Sequence, residues 1–225
     1  MQQGLIQQSR IPSRWRRRLL RASLLGLVAG TLLGCAGADV APEPTLLPVP
    51  LVERLPVTMG IHLPIAISEF VHEEELPNNG RWRIELGSAQ QLMFENLASG
   101  LFIAHAAVAD PAAPGPEVDG ILVPNIEQLQ FAIPSQTRTD FFEVWIKYQF
   151  RLLRPDGSMI AEWPLQAYGR ANRRNYGFME DTQNGALQAA AQLALRDAMA
   201  FFSFKFPRLP AVTTWLQEVA QQPKG

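Results

Sequence analysis

Four groups of side chains in this sequence have the types and spacing to do chemistry. The first is a single thiol, Cys35, which has no second cysteine in the chain and is therefore open to covalent modification but not to an internal disulfide. The second is His62 and His72 with the run Glu73, Glu74 and Glu75. Imidazole and carboxylate together are donors for a divalent ion, and the plainer reading of the run is a solvated acidic loop, so no metal is assigned. The third is Arg170, Arg173 and Arg174, set between Tyr168 and Tyr176. Guanidinium forks match phosphate and carboxylate, and tyrosine rings stack on sugars, which suits a lipid or glycan at the mouth of an apolar pocket or, more simply, pairing with nearby acids. The fourth is apolar: Phe141, Trp145, Ile160 and Tyr168 fall on the nominally wet side of two strand candidates, where contiguous apolar area marks a protein partner site.

No catalytic signature joins these groups. The chain has no G-x-S-x-G, no H-E-x-x-H and no Walker loop, the local patterns that would place a nucleophile, a metal-bound base or a phosphate cradle. It is read as non-enzymatic and as needing no cofactor.

The surroundings of Cys35 give it a role. Arg10, Arg14, Arg16, Arg17, Arg18 and Arg21 precede it with no acid among them, and the apolar run from Ala22 to Leu33 follows. That run is about a dozen residues, too short for a helix to cross a bilayer core of ~30 Å, and it reads as the apolar part of a signal peptide. The tetrapeptide Leu32-Leu33-Gly34-Cys35 resembles the bacterial lipobox. The resemblance implies cleavage before Cys35 and acylation of that residue, so that its partner is membrane lipid. Several acyl chains hold far better than one, at ~0.8 kcal/mol per buried CH₂. Ala36 stands where aspartate would resemble an inner-membrane retention signal, so the implied location is the outer membrane, facing the periplasm. Beyond Cys35 remain 14 basic and 21 acidic residues, a formal charge of −7, which argues against nucleic acid as a partner.

The elements that must position these residues follow from periodicity. Residues 36–56 carry Pro42, Pro44, Pro48, Pro50 and Pro56 and read as an extended, semi-rigid tether. Val57–Leu63 is a strand candidate, His72–Gly80 a polar loop, and Trp82–Leu86 alternates as a half-buried strand does. Ser88 and Gln91 match a capping box ahead of Leu92, Met93, Leu97 and Leu101, which predicts a helix to about Phe102. Ile103–Val108 and Gly120–Ile133 are further strands, the second requiring an edge or bulge at Pro124. From Phe142 to Leu152 apolar and polar residues alternate without a break. Pro155-Asp156-Gly157 then supplies turn chemistry, and Met159, Ala161, Trp163, Leu165 and Ala167 return, predicting a β-hairpin. Asp181 or Thr182 caps a helix to about Phe204 with an alanine-rich stripe, and Val212, Trp215, Leu216 and Val219 suggest a short amphipathic C-terminal helix.

The order predicts an α+β fold, a mixed or antiparallel sheet of about five to six strands with two helices packed on one face. The expected division is a lipoprotein signal peptide over 1–34, lipidated cysteine and tether over 35–56, an α+β domain over 57–206 and a C-terminal segment over 207–225. With the lipobox, the hairpin around Arg154–Ser158 and the alanine-rich helix Asn184–Phe204, this layout resembles periplasm-facing lipoproteins whose α/β domain is like the amino-terminal domain of TolB, including the YajG-type lipoproteins. The resemblance implies a binding or accessory part in an envelope transport or assembly complex, with an envelope protein as partner. The alternative is an envelope lipoprotein that binds a lipid or glycan.

Overall fold

The structure, a computed structural model, describes residues 37–113, 115, 117–176 and 181–221, with the side chains of 181 and 182 left aside. Residues 1–36, and with them Cys35 and Leu32, Leu33 and Gly34, lie outside the described residues, as does any cap before the long alanine-rich helix. The described elements are β1 (Ala38–Val40), β2 (Leu55–Ile61), α1 (Ile65–Ser68), β3 (Val71–Leu76), β4 (Gly80–Glu85), α2 (Gly87–Leu101), β5 (Phe102–Ala107), β6 (Gly120–Ala132), α3 (Pro134–Thr137), β7 (Phe141–Leu153), β8 (Met159–Asn172), α4 (Asp181–Lys205) and α5 (Pro210–Gln221). The fold is α+β, and its strands divide between a five-stranded mixed sheet, β5-β2-β6-β7-β8, and a three-stranded one, β1-β4-β3.

The β7–β8 hairpin is the frame. Phe142, Val144, Ile146, Tyr148, Phe150 and Leu152 are all buried on one face of β7, as their period of two requires. The turn forms at Pro155-Asp156-Gly157: Gly157 takes φ 84°, its N–H donates to the Arg154 carbonyl at 2.9 Å, and the Ser158 N–H donates to the Asp156 carboxylate at 2.8 Å. The Ser158 side chain first, and this N–H second, hold the Asp156 carboxyl below its ordinary pKa. A bulge between Leu152 and Leu153 leaves Ile160 without an opposite number.

Three helices cover the same face. Phe94 of α2 meets the rings of Tyr148 and Phe150 edge-on, Phe202 of α4 meets Phe150 at 4.9 Å between centroids, and Trp215 of α5 lies over Gly120 and Leu152. The alanines of α4 let its backbone approach β8 closely. At Gly169 a methyl group would collide with the Ala190 carbonyl and the Ala194 nitrogen. The outer edge of β8 is latched as well, because Asp197 accepts the Tyr168 N–H at 2.9 Å and Lys205 donates to the Pro164 carbonyl at 3.1 Å. Pro124 sits in β6 beyond Leu122, the last residue paired with β2, so its missing donor falls on the free stretch of that strand.

Three expectations change. The segment expected as a tether is built into the body from Ala38 onward: β1 pairs in parallel with β4, Pro42 and Leu47 are buried, Asn96 donates to the Leu47 carbonyl at 2.7 Å, and Pro50 fills the space left by Gly100. The polar loop expected at His72–Gly80 is largely strand β3, paired with β4 from Val71↔Glu85 to Leu76↔Gly80. It is exposed along most of its length, so the apolar alternation that betrays a strand is missing. Ser88 does not cap α2. The helix starts at Gly87, and the Phe70 carbonyl accepts the N–H groups of Leu86 and Gly87 at 3.0 and 3.2 Å, while Gln91 reaches across to the Ser68 carbonyl at 2.9 Å. The start of the helix is satisfied by tertiary structure instead of by its own side chain.

Candidate functional site

With the helices on one face, the other face of β6, β7 and β8 is closed near the β7–β8 turn, where Val108 and Val118 pack with Ile121, Val123 and Leu153, and open toward the Asn172 end. It carries Glu143, Trp145, Lys147 and Arg151 from β7, and Glu162, Gln166, Tyr168 and Arg170 from β8, in a register that sets Trp145 opposite Tyr168 and Glu143 opposite Arg170. Trp145 is 39% and Tyr168 37% exposed, with ring centroids 5.3 Å apart. The Tyr168 hydroxyl donates to Glu143 at 3.0 Å. Desolvation raises its pKa first, and the bond to Glu143 adds to the rise. The Arg170 guanidinium stands 4.8 Å over the Phe141 ring, a cation–π contact. Lys147 reaches Glu127 at 2.7 Å. The result is a band of aromatic surface fringed by charges, of which Glu143 and Lys147 are engaged with Tyr168 and Glu127.

The sequence-derived groups are placed unequally. Phe141, Trp145, Tyr168 and Arg170 come together at the Asn172 end of the hairpin. Ile160 lies near its tip, some seven residues along β7 from Trp145 and so about 23 Å away. Arg173 and Arg174 both turn to Asp140, at 3.1 and 2.7 Å. The pocket beside them, between Trp82, Ile133, Phe142 and Arg173, holds only about 120 Å³, too small for the deep apolar ligand site expected there.

Of the His–Glu group, His72 and Glu74 stay together, with Nε2 3.5 Å from the carboxylate, and the rest is dispersed. His62 Nδ1 lies 2.9 Å from the Val108 carbonyl, and its backbone N–H donates to Leu122. The His72 ring packs edge-on to Phe131, nine residues further along β6 and so about 30 Å away. Glu73 points to the other face of β3, to Arg83 at 3.3 Å. Arg83 also binds Asp39 at 3.1 Å and Glu85 at 2.9 Å, tying the three strands of the small sheet together on its outer face. Those carboxylates raise its pKa further.

One concavity was missed from the sequence. Between residues 48–56 and the second half of α4 runs a groove of about 930 Å³, lined by Pro48, Pro50, Leu55, Met199, Phe204 and Pro207 among others. Arg54, Arg196 and Arg208 stand at its walls with one acid, Glu53. The signal for it was the close spacing of prolines with Leu51 and Val52, which are exposed, but that spacing suits a free linker equally well.

No protein-family model matches the chain, and no curated protein matches it. Among solved structures, protein XCC0632 from Xanthomonas campestris shares 12% identity at a TM-score of 0.48, covering 83% of this chain and 98% of that one. A neuraminyllactose-binding hemagglutinin homolog from Helicobacter pylori shares 10% at 0.44, covering 76% and 95%. A minor lipoprotein from Acinetobacter baumannii shares 12% at 0.35, covering 69% and 92%. Within the described residues no helix is long and apolar enough to cross a membrane.

Proposed function

We propose that this chain is an envelope lipoprotein, anchored through acylated Cys35 in the outer membrane and facing the periplasm, that acts as a non-enzymatic binding component for another envelope protein. The observation that carries the reading is the uncovered part of the far face of the five-stranded sheet, where Trp145 and Tyr168 meet in a tilted ring contact and are 39% and 37% exposed. An aromatic core within a charged rim is the composition of a protein interface, and side chains tied to one another in pairs, as Glu143 with Tyr168 and Asp140 with Arg173 and Arg174, suit docking better than bond-making. The leader and the Leu32-Leu33-Gly34-Cys35 tetrapeptide support the anchor.

The test is purification of the full-length, acylated protein from membranes with whatever remains bound. A specific partner should be recovered with the native chain and lost by about tenfold or more with Trp145→Glu, the size expected for an aromatic at the centre of an interface. Cys35→Ala should leave the membrane fraction. Undiminished partner recovery with Trp145→Glu would remove the open face from the account, and membrane retention of Cys35→Ala would remove the anchor.

A further inference from the structure

The groove between the proline-rich segment and α4 differs in kind from the open face. Its outer wall is rich in proline, which has no N–H, so that wall offers little backbone donor capacity that an apolar occupant would leave unpaired. The facing wall is Met199, Ala200 and Phe204 from α4. A thioether and a methyl accommodate a flexible chain of methylenes without demanding one shape. The wall is fixed from behind, by the Asn96 bond to Leu47 and by the seating of Pro50 on Gly100, so the groove does not depend on an occupant to hold it open. Its volume of about 930 Å³ is of the size that takes small organic ligands, ~300–1,000 Å³.

Charge selects among such ligands. The chain beyond Cys35 is acidic overall, yet three guanidiniums, Arg54, Arg196 and Arg208, gather on this apolar groove against the single carboxylate of Glu53. None of the three has a carboxylate partner among the described residues. Arg208 instead lies over the Phe204 ring at 4.0 Å. Elsewhere Arg83, Arg154, Arg173 and Arg174 are matched to acids, while Arg81, Arg138, Arg151 and Arg170 have no carboxylate partner among the described residues either; what sets these three apart is that they gather on one apolar groove. We infer that the groove is a binding site for an anionic amphiphile, a single acyl chain lying along Met199, Ala200 and Phe204 with its carboxylate or phosphate head held by Arg54 and Arg196. Its head end at Arg196 stands about 20 Å along α4 from Gln183, which lines the small pocket with Trp82, the residue paired with Ala38.

The experiment uses the full acylated chain in phosphatidylcholine nanodiscs, with empty nanodiscs as the blank, titrated with dansyl-undecanoic acid. Saturable, single-site fluorescence enhancement above the blank is expected. Palmitate and palmitoyl-lysophosphatidylglycerol compete as the two forms of the head, and whichever displaces the probe identifies it. Monopalmitin, of the same chain length and uncharged, should compete about tenfold less well. Arg54→Gln with Arg196→Gln should weaken the probe by a similar factor, Arg196→Lys should retain most of the binding, and Ala200→Trp should abolish it by filling the groove. No saturable binding, equal competition by monopalmitin, or undiminished binding in Ala200→Trp overturns the assignment. Circular dichroism of each variant confirms folding, and undisturbed loss of partner recovery on Trp145→Glu separates this site from the open face.

Discussion

Tyr148 is the residue whose surroundings make the sharpest demand. It is fully buried, its hydroxyl donates to Gln90 at 2.8 Å, and Gln90 in turn donates to the Ile67 carbonyl at 3.1 Å, so one polar thread crosses the core from β7 to α1. Tyr148→Phe should cost about 1–3 kcal/mol in urea denaturation because it strands the Gln90 oxygen in an apolar interior. Adding Gln90→Leu should recover part of that loss. Burial also pushes the Tyr148 phenol far above its ordinary value. A group whose pKa is raised by folding gives stability that is whole below the unfolded value, about 10 for tyrosine, and that declines as the pH climbs beyond it. Stability should therefore fall from about pH 10 upward in the native protein, and more shallowly in Tyr148→Phe. Tyr148 could be placed in the core from its position in the alternating run. Its partner could not, since a glutamine in a helix gives no sign of facing inward until α1 and β7 close over it.

Among the elements, α4 and β8 are joined where Gly169 admits the helix backbone. Gly169→Ala must push the two apart and should destabilise by about 1–3 kcal/mol. Gly157→Ala, which meets nothing but strains a left-handed turn, should cost about 1 kcal/mol, and thermal melts of the two variants side by side would test the order. Strand β3 is paired only with β4 among the described residues, and Glu73, Glu74 and Glu75 line that edge, where charge discourages a second chain from adding on. Replacing Glu73 and Glu75 by valine should produce concentration-dependent light scattering. These elements also show why parts of the fold could be read in advance. The β7–β8 hairpin and α4 bury one continuous face each, so their periods stand out. β3 has no buried face to print a period, β1 is three residues among prolines, and the start of α2 is set by the Phe70 carbonyl from another element.

At the scale of the whole molecule the two faces of the large sheet have separate fates: one is closed by three helices, and the other is covered near the β7–β8 turn by Val108 and Val118 and left to solvent where Trp145 and Tyr168 stand. Trp145 and Tyr168 were visible as an apolar pair on a polar face because strand alternation assigns faces from sequence alone. Ile160 does not belong with them: it sits at the bulge beside the turn and packs against the main core, a break in alternation that the spacing does not foretell. The groove escaped notice because its two walls are about 140 residues apart and neither reads as a site alone. One consequence follows from β1. Strand pairing begins at Ala38, three peptide steps after Cys35, a span of at most about 11 Å. If Cys35 carries the lipid, the body has almost no leash. It would then stay within that reach of the acylated residue instead of roaming above the bilayer like a domain on a long linker, and partners would have to meet it there. Lengthening the chain between Cys35 and Ala38 with a flexible insert would free that motion without touching either surface, a means of learning whether orientation itself is part of what the protein contributes.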